Sequence, residues 1–160
     1  MTDVDAAVFR QLCGRFATGV VIVTTSAEDG RPVGMTANTF TSVSLEPPLV
    51  SVNVDHLADM HRHLARASSF AINVLESRQE ALSRRFAGEH ANRFEGVGYR
   101  LGKTGLPLLD GVLATLECDI HARFEAGDHT IIVGRVVGGS TGDGRPLLYY
   151  RGGYFDHPPA

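Results

Sequence analysis

The chain predicts a mainly β fold, a barrel or sandwich with a few short helices set between its strands. Three observations predict it. Six or seven short runs rich in Val, Ile and Thr are separated by glycine-bearing turns. Residues 114–121 alternate strictly, with Ala114, Leu116, Cys118 and Ile120 apolar and Thr115, Glu117, Asp119 and His121 polar. The regular strand–helix–strand alternation of a doubly wound sheet is missing. At 160 residues the chain is expected to form one domain spanning 1–160, with a helix at 4–17 and a barrel core over about 19–155.

Residues 4–17 place Val8, Phe9, Leu12, Cys13 and Phe16 on one helical stripe, which predicts a helix started by Asp3 or Asp5 and a core position for Cys13. GVVIVTTS (19–26) is a short β-branched strand, AEDG (27–30) a turn with a hairpin signal in Asp29-Gly30, and Arg31–Asn38 the return strand. Glu46-Pro47-Pro48 is expected to break strand pairing, because proline donates nothing to a ladder, and Leu49–Val54 resumes it. A helix follows over 58–67 with Met60 and Leu64 inward, then a buried strand FAINVL (70–75). SRQEALSRRF (77–86) reads as a second short helix opened by a Ser77/Glu80 capping box. Residues 87–110 read mostly as loop. The 114–121 strand should bury one face and leave the other wet or shared, and Gly127-Asp128 turns into HTIIVGRVVGGS (129–140). A second turn at Gly142–Pro146 leads to LLYYRGGYF (147–155).

Composition excludes several function classes. Fifteen basic against eighteen acidic residues give a net charge of −3, which offers no basic platform for nucleic acid. Cys13 and Cys118 are far apart and make neither a disulfide framework nor a zinc knuckle. The apolar runs are too short to span a membrane, and the N-terminus lacks a basic leader region, so a soluble cytoplasmic protein is expected. Gly96-Val97-Gly98 is followed by Leu101 where a dinucleotide fingerprint needs glycine. No phosphate-binding P-loop, HExxH zinc motif or GxSxG elbow is present. His56, Asp59 and His63 share a helical face at spacings of three and four, a metal-like pattern that reads more simply as a solvated face, and no metal is expected.

The stretch GMTANTFTSVSLEPPLVSVN (34–53) is the most unusual in the chain, with Thr36, Asn38, Thr39, Thr41, Ser42 and Ser44 packed closely among strand-like neighbours. Two further segments place polar groups at strand ends, GDHTIIVG (127–134) and YYRGGYF (149–155). Together with FAINVL and RRFAG, all in order and at matching intervals from about residue 8 to 155, these segments resemble the short-chain flavin reductase family. The resemblance implies an FMN-binding split β-barrel of Greek-key type. It also implies NAD(P)H-dependent reduction of FMN or FAD, with the reduced flavin diffusing to a partner flavin-dependent monooxygenase. Such a hydride transfer needs no protein nucleophile, which agrees with the missing triad.

The resemblance further implies residue roles. Thr36, Ala37, Asn38 and Thr39 match the segment near the flavin side chain and phosphate, and Ser42, Val43 and Ser44 the segment along the ring edge. Asn53 closes that set. Arg85, Phe86, Ala87 and Gly88 match a segment bordering the flavin, Arg85 as a charge for the phosphate and Arg84 as a solvated helix residue. His129 matches the histidine near which nicotinamide stacks. Tyr150 and Arg151 match the closing border of the pocket, while Tyr149 and Tyr154 are expected to pack. Family members carry a Ser-x-Thr pair before the first barrel helix; here HLADM (56–60) lacks both hydroxyls, leaving backbone N–H groups and His56 to meet a phosphate. That departure implies weak, substrate-like flavin binding. NADH is slightly favoured over NADPH, and a homodimer is implied. Two alternatives stay open: a flavin-retaining oxidoreductase on the same fold, and a non-enzymatic flavin-binding module.

Overall fold

The computed structural model describes residues 4–155. Helix α1 (Ala6–Cys13) leads into strands β1 (Thr18–Gly19), β2 (Val21–Ser26), β3 (Pro32–Ala37), β4 (Thr41–Leu45) and β5 (Pro48–Asp55). Helix α2 (Asp59–Arg66), β6 (Ser69–Val74) and α3 (Glu80–Ala87) follow. A hairpin of β7 (Tyr99–Leu101) and β8 (Pro107–Leu109) precedes the long pair β9 (Ala114–Ala126) and β10 (His129–Thr141). The described chain closes with β11 (Leu148–Tyr150) and β12 (Gly153–Phe155).

Seven strands form one antiparallel sheet in the order β3-β2-β6-β9-β10-β5-β4, and a small sheet β1-β11-β12 lies beside it. The β9–β10 hairpin joins the two halves: the start of β9 pairs with β6, while the start of β10 pairs with β5. Register shifts at Val133/Gly134 and Val136/Gly138 bend this hairpin, which lets the sheet curl into a split barrel. Inside the curl, Val21, Val23, Val52, Phe70, Ile72 and Ile132 form the main core, closed by Met60 and Leu64 from α2. A second cluster on the outer face of β2 holds Val20, Ile22, Leu75, Phe86, Phe94 and Leu147. This explains the unbroken β-branched run in β2, which is buried on both faces. Asn73 ties the layers together, donating to the Ile22 carbonyl and accepting from the Leu109 N–H.

Several sequence expectations are corrected. Helix α1 begins at the Asp5 cap, which accepts from the Ala7 N–H at 2.6 Å, and ends four residues early; Asp3 lies outside the described residues. The α1 stripe faces outward, with Phe9 59% and Phe16 78% exposed and Cys13 exposed too. Amphipathic spacing predicts a face that wants cover, not which body supplies it. The capping box lies one residue earlier than predicted: Glu76 caps, and Gln79 returns the bond to the Glu76 N–H, opening a 3₁₀ turn (Ser77–Gln79) before α3. Glu46-Pro47 is the turn of a β4–β5 hairpin rather than a break in pairing. Within 87–110 a β7–β8 hairpin packs on β6 and β2, and its turn reaches Glu117, which is buried with Thr115 and accepts from the Thr104 N–H and hydroxyl at 2.7 Å each. Cys118 is the buried cysteine, its thiol pushed up to about 12 by burial and, less, by the Asp119 and Glu117 carboxylates.

Candidate active site

At the end of β3 the chain turns away from α3 and opens two adjoining cavities. The smaller, about 190 Å³, is lined by Val20, Thr36, Ala37, Asn38, Tyr149 and Tyr154. The larger, about 880 Å³, shares Asn38 and Tyr149 with it. Its far wall comes from α1 (Phe9, Cys13) with Phe16, and its mouth from Thr39 and Arg151. Two features mark this cleft as a binding surface. Thr18 lines it, and its hydroxyl is buried with no hydrogen-bond partner among the described residues, an unpaired group that costs stability. Arg151 has φ +51°, the one positive φ at a non-glycine among the described residues, and its N–H is held by the Gly14 carbonyl at 3.1 Å.

The β3 end is rigid because its hydroxyls are already engaged. Thr36 donates to the Ser83 carbonyl at 2.7 Å, and the Ser83 hydroxyl pairs with that of Tyr154 at 2.9 Å. Thr39 bridges the Asn53 backbone, accepting from its N–H at 3.0 Å and donating to its carbonyl at 3.2 Å. These threonines therefore set the backbone, and the exposed Asn38 amide between them is the free polar group. Ala37 is small and buried below it. Ser42, Val43 and Ser44 lie on edge strand β4 with Val43 in a bulge, and they line neither cavity.

The α3 residues divide differently from the sequence expectation. Phe86 is 1% exposed and stacks edge-on against Phe94, so it supports β3 from behind and presents no surface to a ligand. Gly34 exists for that ring: a Cβ there would sit 2.9 Å from Phe86 Cε1. Arg85 donates to the carbonyls of Asn92 and Glu95, which fixes the following loop instead of offering charge. Arg84 reaches the site wall, its guanidinium 4.8 Å above the Tyr154 ring and paired with Glu80. Gly88 caps α3 with its N–H on the Arg84 carbonyl, beside an exposed Ala87. Tyr149 and Tyr154 do pack on each other, at 5.3 Å, but they also line the smaller cavity, which sequence reasoning missed along with Thr18 and Val20. Tyr150 is half-buried on β11 and lines neither cavity.

His129 opens β10 opposite Asp55, two residues along β5 from Asn53, so it stands about 7 Å of strand away from the Thr39–Asn53 link. Its Nδ1 lies 2.7 Å from Asp128, whose carboxyl the imidazole holds below the usual range, with His56 adding a smaller pull. His56 points to Glu125 at 2.9 Å, and His61 contacts the Thr130 hydroxyl, which itself donates to Glu125. His63 faces Asp59 at 3.8 Å, so the predicted His56–Asp59–His63 face is split between two partners. Among the described residues no cluster of three ligand side chains is placed to hold a metal, and no helix is long and apolar enough to cross a membrane.

Comparison with known proteins agrees with this architecture. Residues 13–157 match the family model described as flavin reductase like domain. A Rhizobium meliloti protein named probable flavin reductase is 44% identical over 94% of the chain and 49% of its own length. The reductase component of an Acinetobacter baylyi flavin-dependent trigonelline monooxygenase is 39% identical over 97% of the chain and 51% of its own. The chain thus spans about half the length of these curated relatives. A solved Streptomyces globisporus NADH:FAD oxidoreductase, in complex with NAD and FAD fragments, superposes with a TM-score of 0.91 at 41% identity, covering 99% of this chain and 98% of that one.

Proposed function

Because this chain belongs to the flavin reductase-like family, we propose that it is an NAD(P)H:flavin oxidoreductase whose reduced flavin serves a partner monooxygenase. The observation that carries this reading to the site is the cleft at the end of β3, with a buried, unpartnered Thr18 hydroxyl, a free Asn38 amide and a tyrosine wall. Bound there, flavin would accept at N5 the hydride that nicotinamide carries at C4. The chain's own residues perform the positioning. Asn38 and the backbone pinned by Thr36 and Thr39 present donors to the polar edge of the ring system. Tyr149 offers an apolar face. His129 lines neither cavity; oriented by the Asp128 carboxylate at the start of β10, it would meet the nicotinamide carboxamide through Nε2. No side chain has to form a covalent bond.

Helix α2 starts on Ala58 with no side-chain cap, so the hydroxyl pair that would clasp a phosphate there is replaced by bare N–H groups beside Asp59. This supports flavin as a diffusible substrate. A homodimer and a cytoplasmic setting belong to the same reading, the first supported by the outward apolar stripe of α1. Aerobic NADH and NADPH oxidation, with and without FMN, FAD or riboflavin, tests it. Turnover that saturates with free flavin is expected. Turnover indifferent to added flavin would point to a retained cofactor, and no oxidation with any pair would overturn the enzyme reading.

A further inference from the structure

His56 lines neither cavity of the cleft; its side chain is committed to the β9–β10 hairpin instead. That hairpin turns at Gly127-Asp128, directly beyond the Ala126–His129 pair, with Gly127 at φ +65°. Asp128 and His129 therefore ride on a short tip. Three contacts cross from this tip to the junction between β5 and α2. The His56 N–H donates to the Asp128 carbonyl at 3.0 Å. The His56 Nε2 lies 2.9 Å from a Glu125 carboxylate oxygen. The His61 Nε2 lies 2.9 Å from the Thr130 hydroxyl.

The acceptors in this clamp determine where its protons lie. A carboxylate only accepts, so the His56 Nε2 is the donor to Glu125. Thr130 has a single hydroxyl hydrogen and gives it to the other Glu125 oxygen at 3.0 Å. Its remaining contact is one that it accepts, so His61 donates from Nε2 as well. Glu125 thus gathers both imidazoles, His56 directly and His61 through the buried Thr130. The two rings also meet edge-on, with centroids 5.0 Å apart. Backbone pairing carries the clamp to the tip: Glu125 stands opposite Thr130, and His129 opposite Asp55, the residue before His56. His56 also adds to the pull of His129 on the Asp128 carboxyl. The lever is a modest one, because Glu125 is 73% exposed and exposed pairs contribute little.

We propose that His56 is a positioning residue: clamped on Glu125, it fixes the Gly127-Asp128 turn so that the His129 ring keeps one orientation. The inference rests on the flavin reductase reading for what His129 meets, but ring orientation is measured without turnover. Long-range nitrogen NMR spectra, taken above the imidazole titration range, should show His129 as a single tautomer in the wild type and as an average of both in His56→Ala. His56→Gln, whose amide nitrogen still reaches Glu125 as a donor, should restore the single tautomer. In steady state, His56→Ala should lower kcat/KM for NADH about threefold and move the flavin KM by less than about twofold. Because His56 acts through His129, the double variant His56→Ala/His129→Ala should lose no more than His129→Ala alone, whereas independent residues would multiply their losses. Circular dichroism and melting check that each variant is folded. Should His56→Ala not fold, Glu125→Ala releases the same imidazole from the solvent side and takes its place in each measurement. An averaged His129 ring in the wild type, a single tautomer retained in the folded variant, or multiplied losses in the double variant would overturn the proposal. Absence of any NAD(P)H oxidation would sink the reductase reading alone, since the spectra decide the positioning independently.

Discussion

His129 and Asp128 form a two-residue device at the mouth of β10. The imidazole holds the Asp128 carboxyl below the ordinary carboxylate range, and the carboxylate in turn fixes the ring by its contact with Nδ1 at 2.7 Å. His129→Ala should therefore lower kcat/KM for NADH by roughly tenfold, about 1.4 kcal/mol of transition-state binding, while moving the flavin KM by less than about twofold. Steady-state kinetics with each substrate varied in turn measures the split; equal loss on both sides would make His129 a structural residue. The turn at Gly127-Asp128 into the strand that His129 opens was legible in the sequence, and His129 was singled out by resemblance; its contact with Asp128 was not read there. The Arg84/Arg85 pair was not legible. Neighbouring helical positions differ by about 100° in direction, so which arginine faces Tyr154 depends on where α3 begins, and the Glu76 cap sets that one residue away from the Ser77 signal.

Strand β10 and the turn before α3 show how individual elements hold the barrel. Gly134 sits at the first bulge of the β9–β10 hairpin, where an added Cβ would lie 2.5 Å from Phe70 Cζ and 2.8 Å from Cys118 Cβ. Both neighbours are fully buried. Gly134→Ala should cost about 1–3 kcal/mol through overpacking, read as a lower denaturation midpoint with unchanged slope. At the 3₁₀ turn, the Glu76 carboxylate accepts from the Arg78 N–H, the Ser77 hydroxyl and the Arg78 side chain, which brings it from 4.5 to about 2. A depressed carboxylate stabilises the fold fully above its unfolded value and loses that contribution as pH falls toward its folded value. The melting-temperature gap between wild type and Glu76→Gln should thus be constant above pH 4.5 and shrink between 4.5 and about 2. A gap independent of pH would mean the bonds to Glu76 do not depend on its charge. The strands themselves were readable from β-branched runs and turns. The burial of Glu117 was not, because the β7–β8 hairpin whose turn meets it arrives from a glycine-rich segment with almost no periodicity of its own.

Among the described residues, α1 and the turn after it leave an apolar face open. Val8, Phe9, Leu12 and Phe16 all project outward from α1 and its C-terminal turn, and α1 buries none of its residues. An eight-residue helix is marginal in water by itself, so a face of this kind is held by what covers it. Phe9 and Phe16 also line the larger cavity with Asn38, Thr39 and Arg151, which couples the cover to the flavin cleft. A second copy of the chain is the expected cover, and light scattering should give twice the 17.2 kDa chain mass. Phe9→Asp/Phe16→Asp should shift the mass toward a single chain and raise the flavin KM, because one wall of the cleft then lies open to solvent. Both exposed positions tolerate a charge in an isolated chain, so the variant should stay folded by circular dichroism. A wild-type monomer with full flavin turnover would show that the stripe is covered by something other than a copy, and that the cleft is complete within one chain.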